Sequence, residues 1–198
     1  KTLLITGSSR GIGAATARLA KKYGAEVILH GKSESEELRK IAKELGSRYV
    51  AFDVGDEDAV EKAVSKLGDI DILVNNAGVN PSKTFQELTS ADWQEIFNAN
   101  LFGVVNVSRA VLKGMMARGG GKIINIASIK GFSHVSGKPA YAASKAAVMR
   151  ITSSMAEEFA PYGILVNAVA PGFVDTEMTG ASLSPKIISQ MDGIPFKR

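Results

Sequence analysis

Short apolar runs and longer segments of helical period alternate along the whole of this 198-residue chain. This alternation constrains the fold more than any other feature, because strands and helices in strict turn build parallel strands joined by right-handed crossovers. The predicted strands lie at 2–6, 27–30, 48–52, 70–76, 122–128 and 164–171. The predicted helices lie at about 11–23, 34–45, 56–67, 90–117 and 140–160.

Most of the apolar runs are continuous and rich in β-branched residues, as in KIINIAS at 122–128. Continuous apolar strands are typical of a sheet that helices cover on both faces. We therefore predict an α/β fold, a doubly wound, Rossmann-like parallel sheet of six strands in a single domain. The segment RGGGK at 118–122 superficially resembles a phosphate loop. It is predicted to be a simple turn, because a strand follows it where that motif needs a helix.

Charge and composition exclude several classes of protein. The net charge is only +4 and the basic residues are scattered, so no nucleic-acid partner is predicted. The chain has no cysteine, which excludes disulfides and thiolate chemistry, and its two histidines predict no metal site. No apolar run approaches the roughly 20 residues of a membrane span. We therefore expect a cytoplasmic protein without a membrane partner.

A glycine-rich turn, TGSSRGIG at 6–13, joins the first predicted strand to its helix. Glycine lets a backbone turn tightly and approach a pyrophosphate, and the helix N-terminus supplies amide donors and partial positive charge. At the first strand-to-helix junction of an alternating chain, such a turn predicts a dinucleotide site. Its predicted cofactor contacts are Gly7, Ser9, Arg10, Gly11, Ile12 and Gly13.

The end of the second strand bears on which nicotinamide cofactor binds. An NAD site usually places a carboxylate there to hold the ribose hydroxyls. Here the stretch is HGKS at 30–33, with no acid before Glu34. Lys32 and Arg10 suit a 2′-phosphate, so NADP(H) is favoured over NAD(H); the alternative is that both cations simply face solvent.

Further predicted cofactor contacts follow the third and fourth strands, where ligands bind in open parallel sheets. They are Asp53, Val54, Asn76, Ala77 and Gly78. Asp53 is placed to accept a hydrogen bond from an adenine amino group. It is equally placed to cap the helix that begins near Asp56.

Tyr141 and Lys145 lie four residues apart in YAASK, and Ser128 lies thirteen residues before Tyr141. One helical turn puts the phenol and the ammonium on the same face, and a strand end can deliver the hydroxyl to the same pocket. A cation about 4 Å away would lower the phenol pKa from about 10 by about three units, or roughly 4 kcal/mol. The trio therefore predicts the acid/base site of a carbonyl reductase.

Four motifs stand in order along the chain: TGSSRGIG at 6–13, NNAG at 75–78, Ser128 with YAASK at 141–145, and PGFVDTEM at 171–178. In register, over essentially the whole chain, they resemble the short-chain dehydrogenase/reductase family. Within it the chain most resembles 3-oxoacyl-(acyl-carrier-protein) reductases.

The resemblance implies that Tyr141 protonates the carbonyl oxygen, that Lys145 also holds the nicotinamide ribose, and that Ser128 donates to the substrate oxygen. It implies that Asn100 anchors a water leading to the lysine; by itself the residue would also suit a bend in the long fourth helix. It implies nicotinamide contacts from the segment after the sixth strand, at Pro171, Gly172, Val174 and Thr176. Residues 177–191 resemble a mobile substrate lid.

The activity implied is NADPH-dependent reduction of a 3-oxoacyl thioester in fatty acid biosynthesis. Alternatives are oxidation of a sugar, steroid or other secondary alcohol, and an idle NADP-binding scaffold that binds NADPH without hydride transfer. A positive patch near Lys130 and Lys138 favours an acyl-carrier-protein substrate. The resemblance also implies a homodimer or homotetramer built through 90–117 and 140–160. It implies a seventh strand that residues 1–198 lack, so the domain is expected to be C-terminally incomplete.

Overall fold

A computed structural model describes residues 1–133 and 137–176 of the chain. Six parallel strands form one sheet in the order β3-β2-β1-β4-β5-β6, which confirms the predicted doubly wound architecture. The strands are β1 (Thr2–Ile5), β2 (Glu26–Gly31), β3 (Arg48–Ala51), β4 (Ile72–Asn75), β5 (Gly121–Ile126) and β6 (Ile164–Val169). The predicted lid at 177–191 lies outside the described residues.

Six α-helices pack on the sheet in the described part of the chain. They are α1 (Gly11–Lys22), α2 (Glu36–Leu45), α3 (Glu57–Val64), α4 (Ser90–Phe97), α5 (Gly103–Ala117) and α6 (Pro139–Phe159). Side chains cap three of their N-termini: Ser35 caps α2, Asp56 caps α3 and Thr89 caps α4. The cap at α3 is therefore Asp56 itself, so the capping role considered for Asp53 is wrong.

The predicted long helix at 90–117 is not one α-helix. A π-helical turn at Asn98–Phe102 separates α4 from α5. Such turns insert an extra residue into the helical ladder and are often found at functional sites. The turn contains Asn100, whose side chain is fully buried and bonds outside the helix. The irregularity at this residue is therefore a π-helical turn within the predicted helix.

Both faces of the sheet are apolar, as the continuous strand sequences predict. In β1, Leu4 packs with α3 and α5 in one buried cluster, while Leu3 and Ile5 pack with α1 and α2 in another. Successive strand side chains point to opposite faces, so one strand supplies both layers. No helix within residues 1–133 and 137–176 is long and apolar enough to cross a bilayer.

Candidate active site

A cleft of about 1410 Å³ runs along the carboxyl ends of the six strands. Its walls come from the segments that follow β1, β3, β4 and β6 and from the C-terminal ends of β2 and β5, so distant parts of the sequence meet there. Every predicted cofactor residue except Gly13 lines the cleft, as do Ser128, Tyr141 and Lys145. Gly13 and Asn100 lie behind its surface. Among the described residues, no group of three or more His, Asp or Glu side chains is placed to hold a metal ion.

The glycines of the turn after β1 are required by its backbone. Gly7 and Gly11 have φ of 62° and 56°, which side-chain-bearing residues rarely adopt. A Cβ on Gly13 would lie 2.5 Å from the Gly7 carbonyl oxygen and 2.6 Å from Asn76 Nδ2. Gly13 therefore allows α1 to pack closely against the turn, while Gly7 and Gly11 shape the cleft.

The N-terminus of α1 opens into the cleft without a capping side chain. Arg10 occupies the N-cap position and makes no side-chain cap hydrogen bond, and the first turn carries no acid. The first amide groups of a helix have no partner within the helix, and together with the helix dipole they attract anions. This end of α1 therefore fits the pyrophosphate of a dinucleotide, whereas side chains cap α2, α3 and α4.

Thr6 and Asn76 hold the turn after β1 against the end of β4. Thr6 Oγ1 accepts from the backbone N–H groups of Asn76 and Ala77 at 2.9 and 3.0 Å. Asn76 Nδ2 donates to the carbonyl oxygens of Thr6 and Gly7 at 3.0 and 2.9 Å. Sequence reasoning missed Thr6. It predicted a cofactor contact for Asn76, which lines the cleft and whose amide group also supports the turn.

An ion pair joins the residues that follow β2 and β3. Lys32 Nζ lies 2.9 Å from Asp53 Oδ2, and Asp53 Oδ1 accepts from the Gly55 N–H at 2.9 Å. The Lys32 hydrogen bond is the main reason that the pKa of Asp53 is lowered. Lys32 is thus paired with an acid, although it remains 78% exposed and lines the cleft. Arg10 lines the same end of the cleft.

His30, near the end of β2, also belongs to the site and was missed. Its ring is 1% exposed. Nδ1 accepts from the Gly7 N–H at 3.0 Å, and Nε2 lies 2.9 Å from the Phe52 carbonyl oxygen. Burial lowers the pKa of His30 to about 4, so the ring is neutral near pH 7. The only hint in the sequence was its position at a strand end.

Tyr141 and Ser128 meet at the other end of the cleft. Ser128 follows β5 and is 7% exposed; its Oγ accepts from the Lys130 N–H at 3.2 Å. Burial raises the pKa of Tyr141, and a hydrogen bond with Ser128 opposes that rise. The lowered phenol pKa expected from the sequence is therefore not found, because burial disfavours the phenolate.

Lys145 lies one turn beyond Tyr141 on α6, as the spacing predicts, and is 5% exposed. Its Nζ donates to the Ile126 carbonyl oxygen at 2.7 Å and lies 5.9 Å from the centre of the Tyr141 ring. Burial lowers the pKa of Lys145 to about 8. The ammonium therefore sits between the end of β5 and the phenol, but it is held by a backbone carbonyl.

Asn100 braces this end of the cleft from behind. Its Oδ1 accepts from the Val79 N–H at 2.8 Å, while Nδ2 donates to the Val79 carbonyl and to Ser144 Oγ, both at 3.0 Å. Both amide hydrogens are used, so the side chain has no donor left for a water. Asn100 thus links the π-helical turn to the segment after β4 and to α6, which carries Tyr141.

Lys130 and Lys138 line the cleft beside Tyr141, and each is half-buried. Burial lowers the pKa of Lys138, and the charge of Lys130 lowers it further. Within the described part of the chain neither forms a salt bridge; Lys130 Nζ lies over the Phe173 ring at 5.3 Å. The acids lining the cleft, Asp53 and Glu95, both act on Lys32 at the far end. The end of the cleft that holds Tyr141 is therefore cationic.

The segment after β6 closes the site. Pro171 follows that strand, and its carbonyl accepts from the Ile129 N–H at 3.1 Å. Thr176 reaches across to the glycine turn, where a Cβ on Gly11 would lie 3.5 Å from its methyl group. The segment thereby spans the cleft from the Ser128 end to the turn, and Gly172, Val174 and Thr176 line it.

A Rossmann-like sheet with an uncapped helix N-terminus at one end of its cleft and a Tyr-Lys-Ser trio at the other is the arrangement expected of an NAD(P)-dependent oxidoreductase. The family of short chain dehydrogenases matches residues 1–186. The chain belongs to this short-chain dehydrogenase/reductase family.

Three relatives show the breadth of chemistry within that family. The 3-oxoacyl-(acyl-carrier-protein) reductase of Vibrio harveyi is 39% identical, over 100% of this chain and 83% of its own. The acetoacetyl-CoA reductase of Rhizobium meliloti is 37% identical, over 96% and 83%. The crystal structure of a gluconate 5-dehydrogenase from Burkholderia cenocepacia J2315 with NADP and tartrate has a TM-score of 0.90 and 35% identity, over 96% and 78%. The family is thus established, while its members differ in substrate.

Proposed function

We propose that this chain transfers hydride from NADPH to a ketone, and that the ketone is a 3-oxoacyl thioester. One observation carries the proposal: Ser128, Tyr141 and Lys145 converge on the cleft that the glycine turn shapes for a dinucleotide. The Vibrio harveyi and Rhizobium meliloti relatives, both reductases by name, support the choice of substrate.

In the proposed reaction, the reduced nicotinamide supplies the hydride when it is bound. Ser128 donates a hydrogen bond to the ketone oxygen and fixes its position. Tyr141 gives its phenolic proton to that oxygen as the alcohol forms. Its raised pKa keeps the proton in place at neutral pH, so the acid is present in the form that reduction needs.

Lys145 stabilises the phenolate that Tyr141 becomes. Its pKa of about 8 leaves the ammonium charged at neutral pH. In a buried site the attraction between ammonium and phenolate is stronger than in water. Asn100 acts on this pair through its bonds to Val79 and Ser144, which fix α6 against the segment after β4.

We propose NADP(H) rather than NAD(H) as the cofactor. Arg10 and Lys32 both line the cleft, and Asp53, the acid beside them, is already paired with Lys32. The NADP complex of the Burkholderia gluconate 5-dehydrogenase agrees with this choice. The double variant Arg10→Ala/Lys32→Ala should raise the Kd for NADPH about tenfold or more, the size expected for lost charged hydrogen bonds. It should leave NADH binding unchanged; equal effects on both would contradict the assignment.

The activity is tested with the full chain, NADPH and acetoacetyl thioester, by the loss of NADPH absorbance. Tyr141→Phe should abolish turnover while leaving the Kd for NADPH within about threefold, because the phenol is the proton donor. NADPH binding without turnover of any ketone or alcohol would instead indicate an idle scaffold. Failure to bind either nucleotide would refute the proposed function.

A second candidate is the oxidation or reduction of a hydroxy or keto acid, which Lys130 and Lys138 favour. The structure of a gluconate 5-dehydrogenase with bound tartrate supports this candidate, because gluconate and tartrate are both carboxylates. An acidic acyl carrier protein would also be drawn to these lysines. A substrate panel read in both directions separates the two candidates. Lys130→Gln/Lys138→Gln should raise the KM for a carboxylate substrate but not for an uncharged acetoacetyl thioester.

We also propose a homodimer or homotetramer that forms through the helices at 90–117 and 140–160. Phe102, 45% exposed in the π-helical turn, supports an apolar contact there. Light scattering tests the proposal, and a Phe102→Glu variant should shift the assembly toward monomer. A monomeric wild-type chain at micromolar concentration would contradict it.

A further inference from the structure

His30 lines the cleft beside the glycine turn, and its ring connects the ends of three strands. A carbonyl oxygen only accepts hydrogen bonds, so the Nε2 atom facing Phe52 must carry the proton. The Nδ1 atom facing the Gly7 N–H must then carry the lone pair. A single neutral tautomer satisfies both contacts.

The backbone of His30 holds the next residue of the same turn. The Ser8 N–H donates to the His30 carbonyl at 2.9 Å, and the His30 N–H donates to Ser8 Oγ at 2.8 Å. Ser8 is thus held by the main chain of β2, while Gly7 is held by a side chain. Gly7 lies past the end of β1 with a positive φ, where the regular ladder of the sheet has stopped.

We infer that His30 is a positioning residue for the dinucleotide site. Its Nδ1 sets the orientation of the Gly7 amide, and with it the turn that receives the pyrophosphate. Its Nε2 sets the Phe52 carbonyl directly before Asp53, at the adenine end of the cleft. The inference rests on the proposed dinucleotide site and adds a residue that acts through the backbone.

Two isosteric variants separate the two ring nitrogens. In His30→Asn the amide oxygen takes the place of Nδ1, so the Gly7 N–H keeps its acceptor. In His30→Gln the terminal amide nitrogen takes the place of Nε2, so the Phe52 contact is kept and the Gly7 acceptor is lost. If His30 only stabilised the fold, the change in the Kd for NADPH of each variant would follow its loss of unfolding free energy.

The readout is the Kd for NADPH, measured by nucleotide fluorescence without substrate, beside the urea unfolding curve. His30→Asn should keep the Kd within about threefold, and His30→Gln should raise it about tenfold, the size of one lost buried hydrogen bond. The KM for NADPH should follow the Kd, rising in His30→Gln and not in His30→Asn. Ile164→Ala is the control: this buried residue begins β6, away from the cleft, so the variant should lose stability with an unchanged Kd.

The inference about His30 would be overturned by equal Kd values for the two His30 variants. It would also be overturned by a Kd that follows stability across the two His30 variants and Ile164→Ala. Either result would leave the proposed function standing. A wild-type chain that binds neither NADPH nor NADH would overturn the proposed function together with this inference. Should His30→Gln fail to fold, nitrogen-15 NMR of the wild-type ring decides: a protonated Nε2 and a bare Nδ1 are expected. A proton on Nδ1 would refute the inference.

Discussion

Replacing Lys145 by methionine tests the electrostatics of the proposed site directly. Lys145 is 5% exposed, and burial lowers its pKa from 10.5 to about 8. Each pKa unit is about 1.4 kcal/mol, so keeping this lysine charged at neutral pH reduces the stability of the fold by about 3 kcal/mol. Methionine is close in length and carries no charge, so Lys145→Met removes that penalty together with the hydrogen bond to Ile126.

The pKa of Lys145, about 8 in the folded state against 10.5 in the unfolded chain, sets the direction in which stability changes with pH. Below pH 8 the lysine is charged in both states, and the folded state bears the whole penalty. Between pH 8 and 10.5 the folded protein loses the proton first, so wild-type stability rises with pH by about 1.4 kcal/mol per unit. The variant lacks this group, so its stability should lack this rise. The wild type should therefore gain about 2 kcal/mol relative to Lys145→Met between about pH 7 and about pH 9.5.

Urea unfolding of both proteins at the two pH values, without dinucleotide, measures this difference. The lost bond to the Ile126 carbonyl does not titrate, so it cancels from the comparison between pH values. Lys113→Met is the control, because Lys113 is 76% exposed and pairs with Glu61 on the surface. A difference between wild type and Lys145→Met that stays constant with pH would refute the account of a desolvated lysine.

Three further outcomes are expected. Gly13→Ala should destabilise the fold by about 1–3 kcal/mol and abolish NADPH binding, because the new Cβ would meet the Gly7 carbonyl oxygen. Urea unfolding and nucleotide fluorescence measure the two effects. Gly120→Ala is the control and should show neither effect, because the nearest atom to its Cβ would be 3.7 Å away. Asn100→Ala should lower the unfolding free energy measured in urea by about 2–4 kcal/mol, because the N–H and carbonyl groups of Val79 both lose their partner. A loss below about 1 kcal/mol would contradict this. The pKa of His30, about 4 in the folded state against 6.5 in the unfolded chain, predicts up to about 3 kcal/mol of stability lost by wild type as pH falls from 6.5 to 4. His30→Asn should lack that loss, and an equal loss in both proteins would contradict the account of a buried, neutral His30.

Local sequence patterns predicted the parts of the fold that depend on neighbouring residues. The alternation of apolar runs and helical periods predicted a doubly wound parallel sheet, because right-handed crossovers leave few arrangements for such a chain. The spacing of Tyr141 and Lys145 specified a shared helix face. The glycines after β1 signalled a turn, and the structure confirms positive φ at Gly7 and Gly11.

Long-range contacts explain what the sequence did not reveal. Thr6 and Asn76 lie 70 residues apart, and only the pairing of β1 with β4 brings the hydroxyl to that backbone. The pairing of Lys32 with Asp53 depends likewise on β2 lying beside β3. Periodicity gave no sign of the π-helical turn, since apolar spacing continues through it. The depth of burial that raises the pKa of Tyr141 follows from the whole fold.

The two shifted pKa values at the catalytic end bear on the direction of the proposed reaction. Burial raises the pKa of Tyr141 and lowers that of Lys145 to about 8, so at neutral pH the cleft holds a protonated phenol beside an ammonium. Ketone reduction starts from that pair. Alcohol oxidation must first remove the phenolic proton, which burial opposes. The rate of oxidation should therefore keep rising with pH beyond the point at which the rate of reduction begins to fall.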